Sequence, residues 1–351
     1  MAEETATLSF FHWRNFLKIE ASGVRTSLAT TLPLILGQIL GYPMIGLYIG
    51  LSGLYLSVTD KEGSTIGTLI FAVFSNALMM FAGTIIGNDI WLSVSLLFVI
   101  AFIGGMMSAY GAVSSQIGYV STLVFAVALG QPGSFEAGQQ RILEFLVGGA
   151  WSVILTLVLW SFNRKTSSAA SPAGIEQERL FEEKPGLWKI FYENLTLKSI
   201  ICRHALRLGI ASAIAIALYK IFRIEHGYWL IITVLVIVKP VFADTRKRAL
   251  ERVAGSVVGG IVAVIFAALI QNVIALDALL VLFSILAFSH VRTNYGFYVL
   301  FLTPFVVLML DTVIPGDWEV AFVRILDTLL GGAIALIVSY LLRPKSSFKV
   351  L

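Results

Sequence analysis

Twelve apolar runs occupy most of this chain, near residues 24–41, 42–59, 64–86, 89–108, 109–130, 137–161, 204–221, 228–243, 249–270, 273–290, 294–311 and 319–342. Each is close to the roughly 20 residues a helix needs to cross a hydrocarbon core of about 30 Å. Backbone in lipid must satisfy its own hydrogen bonds, which a run of this length achieves as a helix. The expected fold is therefore an all-α polytopic membrane protein with about twelve transmembrane helices. Charge supports this: 13% of the residues are charged, against about 25% in soluble domains. The expected organisation is an N-terminal interfacial segment (1–23), a first six-helix half (24–161), a short cytosolic linker (162–203), a second six-helix half (204–342) and a cytosolic tail (343–351).

The two halves resemble each other. Arg141-Ile142-Leu143-Glu144-Phe145-Leu146-Val147-Gly148-Gly149-Ala150 matches Arg324-Ile325-Leu326-Asp327-Thr328-Leu329-Leu330-Gly331-Gly332-Ala333 at seven of ten positions, 183 residues further on. Pro132-Gly133 and Pro315-Gly316 keep that offset, and Arg25 and Arg207 open the first span of each half. Six spans is an even number, so both halves enter the membrane from one side. The expectation is two parallel repeats about a pseudo-twofold axis along the membrane normal, an arrangement that places transporter sites between the halves.

Basic residues orient the chain. Arg14, Lys18, Arg25 and Lys61, the linker's basic residues, Arg246 to Arg252, Arg292 and Arg343, Lys345 and Lys349 fall on one side. Arg141, Lys220, Arg223 and Arg324 fall toward the other. The positive-inside rule then puts both termini in the cytoplasm and the protein in the cytoplasmic (inner) membrane. The net charge of +4 is accounted for by these loop positions, with no nucleic-acid partner implied. The N-terminus lacks the pattern of a signal peptide, and Phe10, Phe11 and Trp13 beside Arg14 and Lys18 suit a helix lying in the interface, a frayed tail being the alternative.

Several function classes drop out. A single cysteine, Cys202, excludes an intrachain disulfide; four scattered histidines offer no metal cluster; no phosphate-binding GxxxxGK[ST] loop occurs. Neither a catalytic constellation nor a cofactor is expected. The chemistry lies in intramembrane charge. Arg141, Glu144 and Gly148 share one helical face, as do Arg324, Asp327 and Gly331. Two guanidinium groups related by the repeat suit a carboxylate. Equally, each arginine pairs with its own i+3 acid and snorkels outward. Lys239, placed in the inner half of its span before Pro240, either attracts an anion or snorkels to the cytoplasm. Arg246, Lys247, Arg248 and Arg252 are expected at the inner boundary, against anionic headgroups or as an anion funnel. Asp60 and Asp244 read mainly as helix-end residues, with proton coupling the alternative. Gly37/Gly41, Gly46/Gly50, Gly83/Gly87 and Gly255/Gly259 read as close-packing positions, and Trp13, Trp91, Trp160, Trp229 and Trp318 as interface anchors.

A longer pattern carries a resemblance. Tyr228-Trp229 opens a span that closes at Lys239-Pro240, followed by Thr245-x-x-Arg248 and then Arg252-x-x-Gly255-Ser256. This resembles the signature of the fusaric acid resistance (FUSC-like) or aromatic acid exporter family. The family usually has Gln where Lys239 stands, and its longer members carry a large cytosolic domain where this chain has residues 162–203. The resemblance implies a secondary transporter exporting organic or aromatic carboxylates, with a small organic anion as substrate and a periplasmic adaptor as partner, lipids surrounding it, and a homo-oligomer as one possible assembly. A passive anion channel, as in the related plant malate-type channels, is the alternative; a membrane scaffold without transport is a third.

Overall fold

The computed structural model describes residues 19–59, 64–163, 186–270, 272–311 and 319–343. Residues 1–18 of the interfacial segment, Asp60, most of the linker and residues 344–351 of the tail lie outside the described residues. Among those described the chain is helical: α1 (Ala21–Ile39), α2 (Pro43–Thr59), α3 (Ile66–Ile86), α4 (Ile90–Met106), α5 (Ala112–Leu129), α6 (Phe135–Asn163), α7 (Leu187–Asn194), α8 (Ile200–Phe222), α9 (Tyr228–Ile237), α10 (Phe242–Leu269), α11 (Val273–His290), α12 (Tyr295–Asp311) and α13 (Glu319–Leu341). A helix thus stands at each of the twelve apolar runs, and α7 is a further short one.

Eight of these helices are long and apolar enough to cross a membrane: α3, α4 with its 3-10 extension to Tyr110, α5, α6, α8, α10, α11 and α13. Outward faces carry large apolar side chains such as Phe71, Phe74, Ile261 and Ile337, a surface that lipid solvates and water does not. The protein is a helical membrane protein.

Local chemistry sets the helix starts. Thr65 and Thr68 form a reciprocal cap on α3, with Thr68 N donating to Thr65 Oγ1 at 3.2 Å and Thr65 N to Thr68 Oγ1 at 2.8 Å. Asp89 caps α4 and Asn272 caps α11 by accepting from the third amide onward. Each cap satisfies donors that a helix start leaves open.

Two expectations fail around Pro240. The run 228–243 was expected to be one span, but α9 ends at Ile237 after 10 residues, about 15 Å of rise. Proline has no N–H and disfavours helix in the residue before it, so Lys239 sits in a break between helices and not within a span. The next helix then starts at Phe242, well before the expected 249. Asp244 accordingly lies in the first turn of α10, where a carboxylate complements the helix dipole, and does not close the preceding span.

Packing follows one pattern twice. In the first half α1 packs on α2, α2 on α6, α3 on α5 and α6, and α4 on α5. In the second, α8 packs on α9, α9 on α13, α10 on α12 and α13, and α11 on α12. Between the halves α1 meets α11 and α4 meets α8. Two hydrophobic clusters seal these contacts. One joins Leu97, Phe125, Leu208 and Ile231 from α4, α5, α8 and α9; the other joins Phe283, Phe305, Leu34 and Leu47 from α11, α12, α1 and α2. Glycine permits the closest approaches. A Cβ on Gly50 would strike Thr30 O of α1, and one on Gly259 would strike Leu300 O of α12, whereas Gly41 has open space around it and serves the α1–α2 turn with φ +80°.

Candidate functional site

The two sequence-matched arginines occupy corresponding places with different surroundings. Arg141, on α6, lies over the Tyr48 ring of α2 at 5.0 Å. Arg324, on α13, lies over the Trp229 ring of α9 at 4.2 Å. Seven residues beyond each, a glycine brings the helices together: Gly148 rests against Ile49 and Ser52, Gly331 against Leu230 and Thr233. A cation over an aromatic face is worth about 2 kcal/mol or more once water is excluded.

Arg141 has hydrogen-bonded support through Nη1. Its Nη1 donates to Thr84 Oγ1 at 2.9 Å and to Gln131 O, and Tyr48 donates to Gln131 Oε1 at 2.5 Å. Arg324 has no such support. It is 3% exposed, and its Nε and Nη1 have no hydrogen-bond partner. Around it, Arg252 Nε is also a buried donor without a partner, and Thr233 Oγ1, which can donate or accept, and the acceptor Asp327 Oδ2 are likewise unpartnered. The deficit is therefore of acceptors, in a place where an unmet donor costs about 1–3 kcal/mol.

Among the described residues neither arginine bonds its own i+3 acid. Glu144, buried, accepts instead from Gln140 Nε2 at 2.8 Å, and its Oε2 has no partner. Asp327 is within electrostatic reach of Arg324 without a hydrogen bond to it. The contacts of Arg141 lie on α2, α3 and the α5–α6 turn, those of Arg324 on α9, so no described contact joins the two guanidinium groups.

The basic cluster of α10 divides by helical face. Lys247 points outward and pairs with Glu251 at 3.9 Å, and Arg246 is exposed. Arg248 stacks on the Tyr295 ring at 4.1 Å, and Arg252, 3% exposed, donates to Tyr295 Oη at 3.5 Å. The expectation of headgroup contact is thus corrected for Arg252: it sits one turn beyond Arg248, on the α10 face that packs against α12. Lys239 lies over the Tyr119 ring at 5.8 Å, and its backbone is pinned by Thr245 Oγ1 at 3.0 Å. Arg207 of α8 holds the same break through Nη2 to Pro240 O at 2.7 Å.

Tyrosines connect these cations. Tyr298 lies within electrostatic reach of Arg248, Arg252 and Arg324, and Tyr119 of Arg248 and Arg252. Sequence reasoning missed these tyrosines and the stacking role of Trp229, which it had placed at the interface. The signal was present in the i, i+3 pair Tyr295/Tyr298 and the i, i+4 pair Arg248/Arg252, each on one helical face.

Comparison with known proteins agrees with the resemblance. Residues 213–338 match the family described as fusaric acid resistance protein-like. The inner membrane protein YccS of Escherichia coli is 29% identical over 170 residues, 47% of this chain and 24% of that protein. An uncharacterized protein of Haemophilus influenzae is 34% identical over 154 residues, 43% of this chain and 21% of its own length. A third, slr1298 of Synechocystis, is 30% identical over 151 residues, 42% of this chain and 20% of that protein. The chain thus spans about a quarter or less of the length of these relatives. No solved structure matches it. The matched stretch spans the positions of Trp229, Lys239, Arg252 and Arg324, and over residues 213–338 this membrane protein is similar to the fusaric acid resistance protein-like family.

Proposed function

We propose that the protein is a secondary transporter that exports organic or aromatic carboxylate anions across the cytoplasmic membrane, with Arg324 as the principal anion contact. One observation carries this: a buried guanidinium on an aromatic face, with two N–H groups unpartnered and unpartnered donors around it. A carboxylate supplies acceptors and neutralising charge together. Arg141 and Lys239 are the other expected contacts; Arg141 already donates through Nη1 to Thr84 and Gln131, and Lys239 lies over the Tyr119 ring.

In this reading α1–α6 and α8–α13 are two parallel six-helix repeats with both termini cytoplasmic. The doubled packing pattern and the paired arginine–aromatic stacks support it. Asp327, Glu144 and Asp244 are the acids available for coupling, and a periplasmic adaptor is the protein partner. The channel reading has its own support, since cations and tyrosines follow one another from Lys239 to Arg324.

Counterflow of labelled benzoate in proteoliposomes tests the proposal. A carrier shows trans-stimulated uptake that Arg324→Gln abolishes while the variant still inserts. Unitary currents without trans-stimulation would replace the carrier by a channel, and the absence of both would sink transport.

A further inference from the structure

Two buried arginines face one another's field in the second half of the chain, and this is costly. Arg252 and Arg324 are each 3% exposed and each retains an unpartnered Nε; one turn beyond them Thr328 of α13 donates to Ser256 Oγ of α10 at 3.4 Å, so the two helices meet at this level, and Arg324 lies in the field of Arg252. Asp327 is the one carboxylate within reach of Arg324, and none is hydrogen-bonded to either guanidinium among the described residues. Like charges taken out of water repel strongly, and side chains of this kind persist in a membrane interior where something opposes them. With Arg248, stacked on the same Tyr295 ring, as a third cation, and Glu251 taken up by Lys247, the described charges around these rings carry a positive excess. The surrounding groups are flat: Trp229 under Arg324, Tyr295 beside Arg252, and Tyr298 within reach of both.

We propose that Arg252 and Arg324 together hold one monoanion between them, with Tyr298 beside it, so that Arg252 is a substrate contact and not a headgroup anchor. The ligand class is a monocarboxylate carrying a flat apolar body, which the ring faces accommodate. This rests on the transporter reading and sharpens it. It places the bound anion within the second half, between α10 and α13, and not between the symmetry-related Arg141 and Arg324. It also explains why the two halves differ. Arg141 meets acceptors from its own half, and Arg324 waits for one from the ligand.

The test is equilibrium binding of labelled benzoate to the purified full chain, beside counterflow for the same variants. Arg252→Gln and Arg324→Gln should each weaken binding roughly 10- to 150-fold, the loss of one charge-assisted contact. Arg252→Lys keeps the charge without the fork and should fall between. The Arg252→Gln/Arg324→Gln double variant should bind little worse than either single one, because groups on one ligand couple. Monodisperse elution establishes that each variant is folded, and Arg252→Lys serves where Arg252→Gln is not. Unchanged binding by Arg252→Gln or Arg252→Lys, with counterflow retained and Arg324→Gln defective, overturns the clamp and leaves the transporter. Binding that follows the predicted order without counterflow supports the clamp and overturns transport. Wild-type protein that neither binds nor exchanges benzoate overturns both.

Discussion

The sharpest contrast in the protein is the stability that each matched arginine contributes before any ligand arrives. Arg141→Gln removes two hydrogen bonds from a charged donor, to Thr84 Oγ1 and to Gln131 O, together with the stack on Tyr48. Charged hydrogen bonds are worth about 1.5–3 kcal/mol each. Because the site is only half-buried the lower figure applies, so the loss is about 3 kcal/mol. Arg324→Gln removes no hydrogen bond. It gives up a desolvated stack on Trp229, about 2 kcal/mol, and relieves two unpartnered donors at about 1–3 kcal/mol each, besides repulsion from Arg252. The balance lies at zero or above. Thermal unfolding of the purified variants in detergent, in buffer without carboxylates, reads the difference. At roughly 2 °C per kcal/mol for a chain of this size, Arg141→Gln should melt about 6 °C lower and Arg324→Gln at or above the wild type. Equal losses for the two would refute the reasoning, because they would mean that Arg324 has internal partners like those of Arg141.

Neighbouring glycines should respond differently. A Cβ on Gly331 would lie 2.8 Å from Thr233 Cγ2 and 3.0 Å from Leu230 O, so Gly331→Ala should cost about 1–3 kcal/mol. Gly332→Ala, whose nearest neighbour is Ile237 Cδ1 at 3.8 Å, should melt like the wild type. Arg207→Gln frees Pro240 O and should cost about 1.5–3 kcal/mol, whereas Arg203→Gln, bonded to Leu197 O at the surface, should stay within about 0.5 kcal/mol; the same unfolding assay checks both. In a Cys202→Ser background, a cysteine replacing Gly133 or Gly316 should label from outside the cell, and one replacing Ser168 only after permeabilisation. Labelling of the Ser168 position from outside would reverse the orientation.

Helix positions were legible because hydropathy is a local property: all twelve apolar runs carry helices, and the matched Arg141 and Arg324 segments do stand at equivalent packing positions. What escaped was direction. The six charges from Asp244 to Arg252 cannot be sorted by sequence, and only the helix partner decides that Arg252 turns inward while Lys247 stays outside. Pro240 was visible, but hydropathy alone ran the span through it, since Val241 and Phe242 are apolar. Trp229 fell at a predicted span end and was read as an anchor. In the structure it lies beneath Arg324 and packs against the cluster that joins α1, α2, α11 and α12. The difference between Arg141 and Arg324 was invisible for a deeper reason: their own segments match, and the distinction lies outside them, in Thr84, 57 residues earlier, and in Gln131 of the α5–α6 turn.

That difference has a consequence for redesign. A sequence made of two copies of 21–163 in tandem would carry the Thr84–Gln131 brace in both halves and so lose the unpaired donors of Arg324, giving a sturdier shell without that guanidinium to offer an anion. A tandem of the second half would do the opposite, doubling the unmet donors and the buried repulsion at once, and should fold poorly without added carboxylate. Of the two tandem chains, the first is the scaffold for stability engineering and the second the one whose expression would depend on its ligand.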